Sequence, residues 1–80
     1  MPTKAQHSPA YQPLPAFLSV LRVQACLTQR DIGKRLRRPQ SWVCNCENGN
    51  RRVDLAEFCQ WCHACDIDPV ATLRRFLRMR

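Results

Sequence analysis

Gln40, Ser41, Cys44 and Asn45 stand within six residues of one another in the stretch PQSWVCNCENG. A helix of about 3.6 residues per turn over that stretch would leave all four on its outer side. The chemistry of this set is recognition. The side-chain amides of Gln40 and Asn45 pair a donor with an acceptor and match an adenine edge bidentately. The hydroxyl of Ser41 bonds almost any base, and Cys44 can rest against a thymine methyl. Catalysis has no comparable foothold, because no Ser, His and acid arrangement and no phosphate-cradling Gly loop occurs. The chain is therefore not expected to be an enzyme.

The six cysteines offer a second chemistry. Cys59, Gln60, Trp61, Cys62 and His63 spell CxxCH, the haem c attachment pattern. Attachment requires export and an open pocket, and this segment reads as part of a helical stripe. A zinc site built on Cys59, Cys62 and Cys65, with Cys44, Cys46 or His63 beside them, is a better alternative, since thiolates suit zinc. Metal knuckles, however, usually place their CxxC in a turn. No metal and no cofactor is expected, and the thiols are read as small core hydrophobes with Cys44 exposed. A redox switch at Cys44 is a further alternative.

The elements that must position these residues can be read from caps and spacing. Thr28 can cap a helix whose narrow inner face holds Ile32, Gly33 and Leu36. Gly33 weakens a helix by roughly 1 kcal/mol relative to Ala, so another backbone is expected to approach closely there. Pro39 suits the first position of a second short helix, with Val43 and Cys46 inside and Gly49 as its stop. Before them, a helix from Leu14 or Ala16 to Ala25 buries Leu14, Phe17, Leu18 and Leu21. After them, Asp54 caps a helix with a stripe of Leu55, Phe58, Cys59, Cys62 and Cys65. Asp68 and Pro69 then open a last helix carrying Val70, Leu73, Phe76 and Leu77. The fold class is all-α with five helices.

Eighty residues make one small domain with one modest core. Residues 1–15, with Pro2, Pro9, Pro13 and Pro15, read as a flexible Pro-rich arm in which Lys4 and His7 could touch phosphates; residues 16–80 form the domain. The formal charge is +7, and it is uneven. From Thr28 to Arg52 seven bases face only Asp31 and Glu47, whereas Val53 to Leu73 holds four acids and no base. Basic charge thus collects on the stretch with the recognition set and favours a polyanionic partner. No stretch has the roughly 20 apolar residues that span a bilayer, and no signal peptide is evident. A cytoplasmic location with reduced thiols and no membrane partner is expected.

TQxxIGxxL followed by RPQSWVxNxExGNRRVDLxEF resembles the Cro and lambda-repressor type of helix-turn-helix domain, the XRE family, from about Leu18 to Phe76. That resemblance implies a lambda-repressor-like fold with the helix-turn-helix at helices 2 and 3. It also implies a transcriptional regulator, in most cases a repressor, that sets helix 3 (about residues 39–48) in the major groove of double-stranded DNA at a palindromic operator. By resemblance, Arg22 pairs with Glu47, and Gln29, Gln40, Asn48 and Arg51 or Arg52 hold the DNA backbone or reach the groove. Trp42 stands where the family often has an aromatic, its ring on the domain and its N–H expected at a phosphate. The last helix often joins two copies in this family, so Leu73, Phe76 and Leu77 are candidates for a homodimer interface. An antitoxin built on the same fold, bound to a toxin or other protein partner, is the alternative from a different class.

Three departures from the family pattern have a physical cost. Gly is usual after helix 1, between helices 2 and 3, and after helix 4, where this chain has Cys26, Arg37 and Asp66. If those positions keep positive φ, Cys26 and Arg37 each lose on the order of 1 kcal/mol, and Asp66 less.

Overall fold

A computed structural model describes residues 12–79 and shows five helices: α1 (Pro13–Gln24), α2 (Gln29–Leu36), α3 (Gln40–Asn48), α4 (Leu55–Ala64) and α5 (Pro69–Arg78). Residues 1–11, most of the expected flexible arm with Lys4 and His7, lie outside the described residues, as does Arg80. Helix α1 begins inside the expected arm because proline tolerates the start of a helix, and Pro13 and Pro15 both fit within its first turn.

Local chemistry sets the boundaries of the other helices. Thr28 and Asp31 form a reciprocal capping box on α2: Thr28 Oγ1 accepts from the Asp31 N–H at 3.1 Å, and Asp31 Oδ2 accepts from the Thr28 N–H at 2.8 Å. Asp54 and Glu57 repeat the device on α4, at 2.7 and 3.0 Å. On α5, Asp68 Oδ2 accepts from the Ala71 N–H at 2.8 Å. Pro39 differs from its expected place. It is the residue before α3, with extended ψ of 155°. Helix α3 ends at Gly49, whose φ of 78° is the left-handed conformation that glycine adopts without strain.

Cys26, Arg37 and Asp66 do hold positive φ, at 60°, 56° and 58°. The chain keeps the turns that glycine would serve and carries their strain on side-chain-bearing residues. Gly33 is explained by the same turn. A Cβ there would lie 2.7 Å from the Arg38 carbonyl oxygen, and the Arg38 N–H donates to the Gly33 carbonyl at 2.8 Å. The backbone that crowds Gly33 is thus the α2–α3 turn and not a crossing helix.

The core gathers Phe17, Leu18 and Leu21 from α1, Ile32 from α2, Val43 and Cys46 from α3, and Phe58, Trp61 and Cys62 from α4. Helix α3 packs on both α1 and α2, and α4 packs on α2 and α5. The inner stripe of α4 differs from the expected one. Leu55 is 72% exposed and Cys59 half-buried, whereas Trp61 is wholly buried. Trp61 Nε1 donates to the Leu18 carbonyl at 3.2 Å, which satisfies the indole inside the core. Phe58, Trp61, Cys62 and Cys65 are the true inner face, at steps of three, one and three residues.

Candidate nucleic-acid interface

Helix α3 is amphipathic by its own residue order. Trp42, Val43 and Cys46 face the core, so Gln40, Ser41 and Asn45 are left exposed and Cys44 half-exposed. The four form one polar surface, and Asn48 Nδ2 donates to Cys44 Sγ at 3.3 Å along its edge. An open cleft beside this surface is lined by Arg22, Thr28, Gln29, Arg30 and Gln40. The N-terminal ends of α2 and α3 therefore border the same basic hollow, and free backbone N–H groups at such ends favour anions.

The far end of α3 is tied to α1 by charge. Arg22 donates from Nε to Glu47 Oε2 at 2.6 Å and from Nη2 to Oε1 at 3.1 Å. Its Nη1 donates to the Leu27 carbonyl at 3.0 Å, and Gln29 Nε2 donates to Glu47 Oε1 at 3.1 Å. The hydrogen bonds of Glu47 raise the basicity of Arg22 above that of a free guanidinium. Three elements thus converge on one carboxylate, which fixes the pitch of α3 against α1 and α2. Gln29, expected at a phosphate, is held by Glu47 in this structure.

Trp42 departs from the expectation for its N–H. The ring is buried, and Nε1 is covered with no hydrogen-bond partner among the described residues, so it does not reach outward to a phosphate. The reason is its place on α3, beside Cys46 and against Trp61, whose ring centroid is 6.4 Å away. Two guanidiniums cover it, Arg38 at 4.9 Å and Arg51 at 5.0 Å from the ring centroid. Arg51 also makes a bidentate pair with Glu57, at 3.0 and 2.9 Å, and donates to the Arg52 carbonyl at 2.8 Å. Those bonds hold the Glu57 carboxyl below its usual range. Arg52 itself is exposed. Sequence reasoning missed the roles of Arg38 and Glu57, which join this cluster from the α2–α3 turn and from α4.

The cysteines are dispersed. Burial pushes the thiols of Cys46 and Cys62 up to about 11, and that of Cys65 upward as well. Among the described residues no three His, Cys, Asp or Glu side chains are grouped as a metal ion would need. On α5, Phe76 packs its ring 5.5 Å from that of Phe17. Leu73 and Leu77 stay 38% and 50% exposed, and Leu73 lines one apolar groove with Leu55 and Val70. No described helix is long and apolar enough to cross a membrane.

Residues 14–78 match the family described as the helix-turn-helix domain. A solved structure, an XRE-family like protein from Pseudomonas syringae pv. tomato, is 39% identical and superposes with a TM-score of 0.82, covering 95% of this chain and 93% of that one. No curated protein matches the chain. The turn between α2 and α3, the outward polar face of α3 and these two likenesses agree: the chain belongs to the XRE-type helix-turn-helix family of DNA-binding regulators.

Proposed function

We propose that the chain is a sequence-specific transcriptional repressor that sets α3 in the major groove of a palindromic operator. The observation that carries this reading is the exposed face of Gln40, Ser41 and Asn45 on a helix pinned from behind by the Arg22–Glu47 pair. Amides on a rigid helix read adenine edges, so A·T pairs are expected beneath Gln40 and Asn45. Arg52, Asn48 and the two helix N-termini hold the phosphates, which sets register and affinity without sequence preference. Occupying the groove excludes other proteins from the same site, which is repression. The reading places the protein in the cytoplasm with the DNA.

Two copies are needed to read a palindrome, and the exposed Leu73 and Leu77 of α5, with Val70 and Leu55, are the surface we assign to that pairing. The same surface would suit a different protein, as in an antitoxin, and sedimentation of the pure chain separates the two. Selection from a random duplex library tests the main reading. Enrichment of a palindrome with half-sites about one helical turn apart supports a dimeric reader. Recovery of unrelated sequences counts against it.

A further inference from the structure

Arg38, Trp42, Arg51 and Glu57 form one cluster on a flank of α3, and its two cations are bound very differently. Both guanidiniums lie over the Trp42 ring, at 4.9 and 5.0 Å. Arg51 is spent inside the protein on both oxygens of Glu57 and on the Arg52 carbonyl. Arg38 is not. Its Nη2 stands 3.8 Å from Glu57 Oε2, beyond hydrogen-bond reach, and its guanidinium makes no hydrogen bond among the described residues. Its side chain is 45% exposed, against 10% for Glu57. Glu57 already takes two hydrogen bonds from Arg51, so Arg38 adds only a long ion pair to that carboxylate and keeps its N–H donors uncommitted while the ring positions it.

Its place in the fold gives those donors a use. Arg38 stands two residues before the first residue of α3, at the positive end of the helix and beside Gln40. Trp42 lies about 60° around α3 from Asn45, so the stacked cation flanks the recognition face without entering it. A guanidinium over an aromatic face keeps its N–H donors in its own plane, where the edge can still take the two oxygens of a phosphate. We propose that Arg38 is a phosphate-contacting residue, held ready on the Trp42 ring, and that Arg51 is the internal brace which leaves it free. The proposal rests on the DNA reading above. It adds Arg38 to the phosphate-holding set beside Arg52 and withdraws Arg51 from it.

The test is the salt dependence of binding by the full chain, measured on a selected duplex and a scrambled one. Each phosphate contact contributes about 0.9 to the slope of log K against log salt. Arg38→Ala should lower the slope by about that amount on both duplexes and weaken both by the same factor. Arg38→Lys should keep the slope, because it keeps the charge. Arg51→Ala should lower the thermal midpoint and leave the slope nearly unchanged. Arg38→Gln, which retains most of the side-chain length, serves in place of Ala if Ala disturbs the fold. A slope in Arg38→Ala and Arg38→Gln equal to that of the unsubstituted chain overturns the assignment, while the unsubstituted chain still prefers its selected duplex. Failure of the unsubstituted chain to bind either duplex overturns the DNA reading and this assignment together.

Discussion

Arg22 and Glu47, 25 positions apart in the chain, share two hydrogen bonds of 2.6 and 3.1 Å, and the Glu47 side chain is only 5% exposed. Breaking a buried pair from one side typically costs about 3–5 kcal/mol, because the other charge is stranded. Arg22 keeps its bond to the Leu27 carbonyl, so Glu47→Ala should cost somewhat less, about 2–3 kcal/mol. In a domain this small, that is a large share of the total stability. Thermal unfolding followed by circular dichroism should show a much lowered midpoint, and a midpoint within a degree or two of the original would contradict the role given to the pair.

Arg37 holds φ of 56° in the α2–α3 turn. Arg37→Gly should relieve strain of about 1 kcal/mol, offset in part by the greater freedom of glycine in the unfolded chain. A rise of a few degrees in the melting midpoint is the expected outcome. A fall would mean that the Arg37 side chain makes a contribution outweighing its backbone cost.

The buried thiols give stability a pH dependence on the alkaline side. In the unfolded chain Cys46 and Cys62 ionise near 9.0, whereas burial holds them protonated to about 11 in the fold. Their contribution is complete below about pH 9 and is lost as pH rises toward 11. On the acid side the sign reverses for Glu57, whose folded value is depressed. Its contribution is present above its ordinary 4.5 and is lost as pH falls through the lower folded value. A denaturant titration across pH should therefore show a plateau with shoulders at both ends. Alkylation at neutral pH should label exposed Cys26 in the folded protein, and Cys46 and Cys62 only after unfolding.

Gln40 and Arg52 should differ in what they lose. Gln40→Ala removes an amide from the recognition face and should cost about 1–3 kcal/mol of discrimination at one base position. Arg52→Ala should weaken all duplexes alike. Competition binding with single-position duplex variants separates the two, and uniform weakening by both substitutions would count against base reading by Gln40.

Apolar spacing made α1 legible, and caps and a glycine stop made α2 to α5 legible, because Thr28, Asp54, Asp68 and Gly49 act on their own neighbours within the chain. The three strained turns were legible from departures at Cys26, Arg37 and Asp66. The inner face of α4 was not. Leu55 and Cys59 continue a plausible apolar stripe, and only packing against α1 decides that Trp61 turns inward to meet the Leu18 carbonyl. The Arg38–Trp42–Arg51–Glu57 cluster was hidden for the same reason: it joins the α2–α3 turn, α3, the loop after it and α4, and no local spacing unites them.

The most direct test of sequence-specific recognition by α3 is a pair of anisotropy titrations, the full chain against its selected duplex and against a scrambled duplex, at several salt concentrations. The account predicts binding to the selected duplex tighter by about 10³-fold or more, with both affinities falling as salt rises. Equal affinities for the two duplexes, steeply dependent on salt, would contradict it and leave a basic surface that holds phosphates alone.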